Sequence, residues 1–398
     1  MNYFSPILII EINNSDYIFA VGEKNEDNHF KLIYKNLVPN ESKNNYKITD
    51  YDVIYNIIKE NIFLIEQKLN HTFTESILII NNFHFSFINL SGYKKLNGSK
   101  IVKDNITYIL NSLKSAIDES EKKKKILHIF NSNYYLDKKN TKNLPVDLFG
   151  DFYSQELSFC LIENNDYKNI NNIFNKCNLK IKKILLKSFV EGVFLINENK
   201  KLDTFFKLEI SNNNTELFYF ENRALKFSQN FEFGSDLVLN DVSKITLLNK
   251  DIVNKIFSNL QNSNEILDEE LVEKELFVDE NYRKIKKNLI LDIALARIQE
   301  LVEVFVLKNI NLSSFQKKDK IIFLKISDKL HFNCFKEDYK LLFSKTSDFS
   351  ARFIENIETE SLYDNAFRLI HFGWNKEAVP VVNAKKSLIA KFFDALFN

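Results

Sequence analysis

The segment from Phe205 to Asp241 constrains the fold of this chain more than any other. It contains two short apolar runs, FFKLEI and TELFYF, separated by the polar turn Ser211 to Asn214. Serine and asparagine side chains bond to their own backbone, and asparagine tolerates left-handed dihedrals, so the pattern predicts a β-hairpin. A third run, Leu225 to Phe233, ends at Gly234-Ser235. A helix is expected over Asp236 to Lys244, with Ser235 or Asp236 as its N-cap.

The amino terminus repeats the opening of this pattern. The run ILIIEI is followed by Asn13-Asn14-Ser15-Asp16 and then by the strand-like runs YIFAVGE and HFKLIYKNLV. Each unit carries an acid late in its first strand, Glu11 in one and Glu209 in the other. Two such units far apart in one chain predict a duplicated α/β fold. The competing interpretation of the second unit is an ordinary surface hairpin.

Length and composition predict a globular protein with more than one domain. The chain has 398 residues, of which 45% are hydrophobic and 27% are charged, a balance typical of folded chains. The net charge of +1 gives no global field that would attract nucleic acid, so no nucleic-acid partner is expected. The scattered cysteines Cys160, Cys177 and Cys334 form neither a disulfide framework nor a zinc site. We therefore predict no metal centre, and a reducing cytoplasm.

Neither end of the chain is predicted to cross a membrane. No run is long and apolar enough to span a bilayer. The start, MNYFSPILIIEI, has no basic region and no small-residue cleavage site, so no signal peptide is expected.

A series of short motifs in the middle of the chain is specific when taken together. These motifs are Ser91-Gly92, Ile126 to Ile129, Tyr135-Leu136-Asp137, Lys142 to Val146, Gly150, Leu157 to Ile162, Lys168-Asn169-Ile170 and Cys177 to Ile181. In this order they resemble the FtsA family of bacterial cell-division proteins. His128 lies in one of the apolar runs and is interpreted as a core or edge residue, not as a catalytic one.

The resemblance implies an actin-like (RNase H-like) α/β fold of two related lobes, with the inserted subdomain of the family. Its subdomains would be IA-like (1–86, 166–196 and 341–374), IC-like (87–165), IIA-like (197–243 and 298–340) and IIB-like (244–297).

The family binds ATP and Mg²⁺ on glycine-rich loops, whose positions the resemblance also gives. The first loop would be Glu11, Asn13, Asn14 and Ser15, with Asp16 in place of a phosphate-facing lysine. The second would be Glu209, Ser211, Asn212, Asn213, Asn214 and Thr215, followed by Gly234 and Ser235 before the helix. The strand Lys320 to Asp328 would replace the adenine loop.

These loops lack the glycines of the family. A side chain at a former glycine crowds a nucleotide that lies against the backbone, and an acid repels a polyphosphate. ATP with Mg²⁺ is therefore implied by the resemblance but disfavoured by the loops, and we expect neither catalytic residues nor turnover. The alternative is a weak actin-like ATPase or sugar-kinase relative that uses Glu11 and Glu209 around Mg²⁺.

The resemblance also assigns a partner-binding helix. The segment Asn281 to Asn309 has a broad apolar stripe and is predicted to be helical. Its Arg283 and Arg297 fall where the family binds the carboxyl-terminal tail of FtsZ, the tubulin-like division protein. A guanidinium group can bind a carboxylate through two hydrogen bonds, which suits this role. The competing interpretation is two ordinary solvated arginines.

The carboxyl terminus is predicted to be a linker, residues 375–386, followed by an amphipathic helix, residues 387–398. The apolar positions of this helix lie on one face: Leu388, Ile389, Phe392, Phe393, Leu396 and Phe397. A helix of this kind lies in the interface of an anionic inner leaflet, unless it docks on the protein's own core.

The function implied is an adaptor at the division septum, on the cytoplasmic face of the membrane. It would tether FtsZ filaments, self-associate into actin-like filaments and contact other division proteins. An actin-like adaptor of a pilus or secretion machine is the alternative.

Overall fold

The computed structural model describes residues 6–13, 15–40, 51–81, 83–259, 270–277, 281–312, 321–347, 349–354 and 357–378. The chain forms two compact units, one of Met1–Lys187 with Ala366–Asn398 and the other of Ser188–Asn365. In the described residues, no helix is both long and apolar enough to cross a bilayer.

The strands are β1 (Ile7–Ile12), β2 (Asp16–Lys24), β3 (Phe30–Pro39), β4 (Glu75–Ile80), β5 (Phe85–Lys95), β6 (Lys124–Leu136), β7 (Lys139–Thr141), β8 (Phe152–Glu163), β9 (Lys180–Leu186), β10 (Phe205–Ile210), β11 (Thr215–Glu221), β12 (Ala224–Phe231), β13 (Ile321–Ile326) and β14 (Ser350–Phe353). The helices are α1 (Tyr51–Leu69), α2 (Lys103–Ser120), α3 (Asn164–Lys176), α4 (Lys187–Glu198), α5 (Asp236–Thr246), α6 (Lys250–Asn259), α7 (Lys287–Val302), α8 (Lys329–Ser347) and α9 (Thr359–His371).

The first unit is built on a five-stranded sheet in the order β3-β2-β1-β4-β9. The first three strands form an antiparallel meander, and β4 and β9 join it in parallel. The apolar residues of α1 that recur along one face, among them Ile54, Ile58 and Ile65, are buried in the core against this sheet.

The second unit repeats this arrangement with the sheet order β12-β11-β10-β13-β14. Here β10, β11 and β12 form the meander, and β13 and β14 are parallel to β10. Phe206, Leu208 and Ile210 alternate along β10 and enter a core shared with residues of α5 and α7. The predicted duplicated actin-like α/β fold is confirmed.

An additional antiparallel sheet, in the order β5-β8-β6-β7, is inserted between β4 and β9 of the first unit. Its helix α2 buries Ile109, Leu110 and Ile117 in two small apolar cores of this sheet. This sheet occupies the part of the chain, residues 87–165, where the resemblance places the inserted subdomain.

Three boundaries differ from the sequence interpretation. Residues 188–196 belong to the second unit and not to the IA-like subdomain. Residues 341–365 also belong to the second unit, because β14 pairs with β13. The helix expected from Asn281 begins only at Lys287, because Lys286 is held in an antiparallel bridge with Leu271.

The start of the predicted linker is paired with the inserted sheet. Glu377 forms an antiparallel bridge with Phe130 of β6. Its carboxylate lies 2.7 Å from His128 Nδ1 and 2.7 Å from Lys183 Nζ. Burial alone would raise the pKa of Glu377, but His128 and Lys183 lower it to about 2. His128 is therefore a buried structural residue in this contact. Asn14 and the predicted membrane helix lie outside the described residues.

Candidate functional site

The second predicted loop is a hairpin turn held against the start of α5. The Ser211 amide donates to the Asn214 carbonyl at 2.9 Å and closes the turn. The amides of Ser235 and Asp236 donate to the carbonyls of Ser211 and Asn212 at 3.0 and 2.9 Å. The predicted hairpin and the helix after it are confirmed. Two further side-chain bonds join these elements: Thr215 Oγ1 to the Phe233 carbonyl at 2.9 Å, and Ser235 Oγ to Asp328 Oδ2 at 3.1 Å.

Gly234 is required by the close approach of this turn to α5. A Cβ at Gly234 would lie 1.8 Å from the Ser211 carbonyl oxygen. The left-handed dihedrals that asparagine permits occur in the next turn, at Asn222 (φ 50°) and Arg223 (φ 67°), and not at residues 212–214.

Beneath the turn lies a buried group of charges, which we call the lysine–glutamate cluster: Glu191, Lys207, Glu209, Glu216 and Lys325. Lys207 and Glu209 share one face of β10, and strand register places Glu216 and Lys325 on either side of Glu209. Lys207 Nζ lies 2.9 Å from Glu209 Oε2, and Lys325 Nζ lies 2.8 Å from Glu209 Oε1. Glu191 on α4 contacts both lysines.

A proton on Glu216 balances the charges of this cluster. Burial, and then the neighbouring Glu209, raise the pKa of Glu216 to about 8. Burial alone would lower the pKa of Lys207 and Lys325, but the carboxylates of Glu191 and Glu209 raise both above the usual value. At neutral pH the cluster then pairs its ammonium groups with an equal number of carboxylates. Such pairing is what buried charges require.

Protonation of Glu216 predicts a pH-dependent stability. Between the ordinary pKa of 4.5 and the folded value of about 8, the native chain binds a proton that the unfolded chain has lost. Stability should therefore fall as pH rises through this window. Burial lowers the pKa of His331 from 6.5 to about 4. This shift makes stability rise with pH, but only up to about pH 6.5. Urea denaturation at about pH 7 and about pH 8.5 should show the loss, and Glu216→Gln should remove most of it. If Glu216→Gln lost as much stability between these two pH values as wild type does, Glu216 would be excluded as the cause of the pH dependence.

The first predicted loop is closed by Lys187, at the start of α4. Its ammonium lies 2.7 Å from the buried Glu11 and donates to Asn13 Oδ1 at 3.2 Å. Asn13 Nδ2 and Ser15 Oγ each donate to the Asp16 carboxylate at 2.8 Å. The structure thus supplies a lysine to this loop from a distant part of the chain.

The residues of these loops do not fit ATP with Mg²⁺. The carboxylates that would face the metal already form ion pairs with lysines. Glu11 pairs with Lys187, and Glu209 pairs with Lys207 and Lys325. The amides at the start of α5, where a phosphate could bind, donate to the carbonyls of the hairpin turn. In the described residues, no group of His, Cys, Asp and Glu could hold a metal ion. We assign no step of phosphoryl transfer to these residues.

The two arginines assigned to the FtsZ tail make internal contacts. Arg283 lies before α7 and donates to the carbonyls of residues 246 and 247 at 3.1 and 2.5 Å, at the end of α5. The positive charge of Arg283 at the carboxyl end of α5 interacts favourably with the helix dipole. Arg297 pairs with Asp241, and with Glu300 at 2.7 Å. Their role in partner binding stays a prediction.

The sequence analysis did not identify the lysines that pair with the acids of the two predicted loops. Lys207 carried a signal, since it is a lysine in an apolar strand, two residues before an acid on the same face. Lys187 and Lys325 carried none, because their partners are set by tertiary structure.

No family model matches the chain. It is 20% identical over 234 residues to the cell division protein FtsA of Buchnera aphidicola subsp. Schizaphis graminum, covering 59% of this chain and 56% of that protein. It is also 20% identical over 318 residues to FtsA of Neisseria meningitidis serogroup B, covering 78% and 75%. The match thus spans little more than half the length of the Buchnera relative.

Among solved structures, the chain is similar to the PilM–PilN type IV pilus biogenesis complex. The TM-score is 0.53 at 10% identity, with coverage of 93% of this chain and 97% of that one. The fold and the curated relatives define an actin-like protein that is distantly similar to FtsA.

Proposed function

We propose that this chain is an actin-like cell-division adaptor that tethers FtsZ filaments to the cytoplasmic face of the membrane. One observation carries the proposal: an antiparallel sheet is inserted between β4 and β9 of an actin-like unit. This is the chain position at which the FtsA resemblance places the extra subdomain of that family. The distant similarity to FtsA proteins supports it. A pilus or secretion adaptor is the competing hypothesis, because a pilus protein shares the fold.

Two surfaces would connect the filament to the membrane. Residues 387–398 would bind anionic lipid, and the surface around Arg283 and Arg297 would bind the acidic tail of FtsZ. In support of the second role, Ile245 and Leu247 are 63% and 72% exposed beside the end of α5 that Arg283 contacts. Tail carboxylates would compete with Asp241 for Arg297.

In this proposal the adaptor needs no ATP. The lysine–glutamate cluster and the Glu11–Lys187 pair neutralise from within the acids that a metal nucleotide would otherwise face. Self-association and contacts with other division proteins would then depend on protein surfaces alone.

Vesicle flotation tests the tether. The full chain should float with phosphatidylglycerol vesicles and carry FtsZ filaments with it, whereas a chain that ends at residue 386 should do neither. Phe392→Asp should abolish flotation because it places a charge on the apolar side of the helix predicted from the sequence. Phe63→Asp, at a phenylalanine of α1 that is 58% exposed, is the matched control and should leave flotation unchanged. ATP with Mg²⁺ should alter neither result.

Each failure of this assay has a separate meaning. A full chain that does not float would refute the membrane tether. Flotation without FtsZ would refute the division adaptor and favour the pilus-type alternative. Flotation that requires ATP would refute the proposal that the adaptor works without nucleotide.

A further inference from the structure

A basic groove runs between β14 and α8 and reaches residues 325–327 at the end of β13, where the resemblance places the adenine loop. It encloses a cavity of about 750 Å³. Its charged lining residues are Lys325, Lys329, Lys336, Glu337, Lys340 and Arg352. Lys325 belongs to the lysine–glutamate cluster, and the remaining charged side chains face the groove itself. The cations therefore clearly outnumber the single carboxylate.

The cations at the centre of the groove are not neutralised by neighbouring acids. Among the described residues, no carboxylate pairs with Lys329, Lys336 or Arg352, and Lys340 reaches Glu337 only at 4.0 Å. Lys336 is partly buried, whereas Lys329, Lys340 and Arg352 are exposed. Cations without a neighbouring acid favour a ligand that brings negative charge.

Aromatic rings hold the central lysine in place. Lys336 Nζ lies 5.1 Å from the ring centroid of Phe332 and 5.3 Å from that of Phe353. The two rings pack edge to face with centroids 5.4 Å apart. Cation–π contacts order the ammonium before a ligand arrives, which lowers the entropy cost of binding. The rings also offer an apolar surface to the ligand.

The groove contains the free edge of the second sheet. β14 is the last strand in the sheet order. The Ile354 amide donates to the Leu324 carbonyl of β13 at 2.9 Å. Because alternate residues direct their backbone groups to opposite sides of a strand, Ala351 and Phe353 direct theirs outward. Both residues line the groove, and in the described part of the chain nothing bonds to these outward groups.

We propose that this groove binds an acidic, extended peptide segment of a partner protein, which adds to β14 as a further strand. Backbone hydrogen bonds to Ala351 and Phe353 would supply register, as in other cases of strand addition. Carboxylates on one face of the peptide would meet Lys336 and Lys340 of α8. Carboxylates on the other face would meet Arg352, whose guanidinium can bind one of them bidentately. This groove is a different surface from those proposed for the FtsZ tail and the membrane. A failure of the peptide proposal therefore leaves the proposed membrane tether untouched, and the reverse also holds.

The test uses the full chain and a fluorescein-labelled peptide with acids on both faces, Asp-Glu-Glu-Val-Glu-Glu-Asp, in a fluorescence-anisotropy titration. Wild type should bind saturably, and added salt should weaken binding because the contacts are ionic. Ala351→Pro removes one outward amide without changing charge, and it should weaken binding about tenfold or more. Lys336→Glu with Arg352→Glu should do the same or abolish binding. Lys122→Glu with Lys123→Glu, at exposed lysines of the first unit, is the control and should not change affinity.

Several results would overturn the proposal. The first is the absence of saturable binding by wild type. The second is wild-type affinity in Ala351→Pro, because the peptide would then not pair with the strand. The third is a preference of the groove for anionic vesicles over the peptide. In that case vesicles would displace the peptide from wild type, and Lys336→Glu with Arg352→Glu would no longer bind the vesicles. Should Ala351→Pro fail to fold, the exposed Arg352→Glu alone is the deciding variant, and unchanged affinity there counts against the groove.

Discussion

Replacing Lys207 with methionine should lower the free energy of unfolding by about 3–5 kcal/mol, because it leaves buried carboxylates short of a partner. The Lys207 side chain is 1% exposed and contacts both Glu191 and Glu209. Its ammonium also lies 5.1 Å from the ring centroid of Phe218, a cation–π contact that methionine cannot make. Methionine has a similar length and fills the space, so the expected loss comes from charge and not from a cavity. Urea denaturation followed by circular dichroism measures it.

Glu216→Gln is the matched control, because it changes another buried member of the same cluster. Folding at neutral pH requires Glu216 to take up a proton, which glutamine does not need, so this variant should be at least as stable as wild type, by up to about 3 kcal/mol at pH 7. Adding Glu191→Gln to Lys207→Met should recover part of the loss, since it restores the balance of charges. If Lys207→Met were no less stable than wild type, the assigned charge balance would be wrong.

The sequence predicted the parts of the fold that depend on local pattern. The meander of β10, β11 and β12 follows from alternating apolar runs and a short polar turn, and its repeat at β1, β2 and β3 revealed the duplication. These signals are local, so they persist even though the chain lacks the glycines of the family that it resembles.

The sequence could not predict what depends on strand register between distant segments. Lys325 meets Glu209 only because β13 pairs in parallel with β10, and Lys187 meets Glu11 only because α4 follows β9. The short strand β14 gave no alternating pattern long enough to assign it to the second unit. Loss of glycine alone disfavoured a nucleotide, but it could not show that lysines already pair with the acids of both loops.

Gly234, just before α5, is the one glycine among the residues assigned to the second loop, and its replacement tests why a glycine is needed there. Gly234→Ala should cost about 3 kcal/mol, because the new Cβ would lie far inside contact distance of a backbone oxygen. That oxygen belongs to Ser211, whose carbonyl accepts the Ser235 amide, so relief of the clash must break a hydrogen bond at the start of α5. A backbone group cannot rotate away as the end of a flexible side chain can.

Gly98→Ala is the matched substitution in open space. Gly98 has a φ of +80° and nothing within 4 Å of its added Cβ, so only left-handed strain is expected, about 1 kcal/mol. Urea denaturation of both variants compares a steric requirement with a conformational one. A larger loss at Gly234 would mean that this glycine is kept so that the turn can pack on the helix, which is a structural requirement and not a phosphate-binding one. Equal losses would mean that the turn can move away from α5, and the amides of Ser235 and Asp236 would then be accessible to an anion after all.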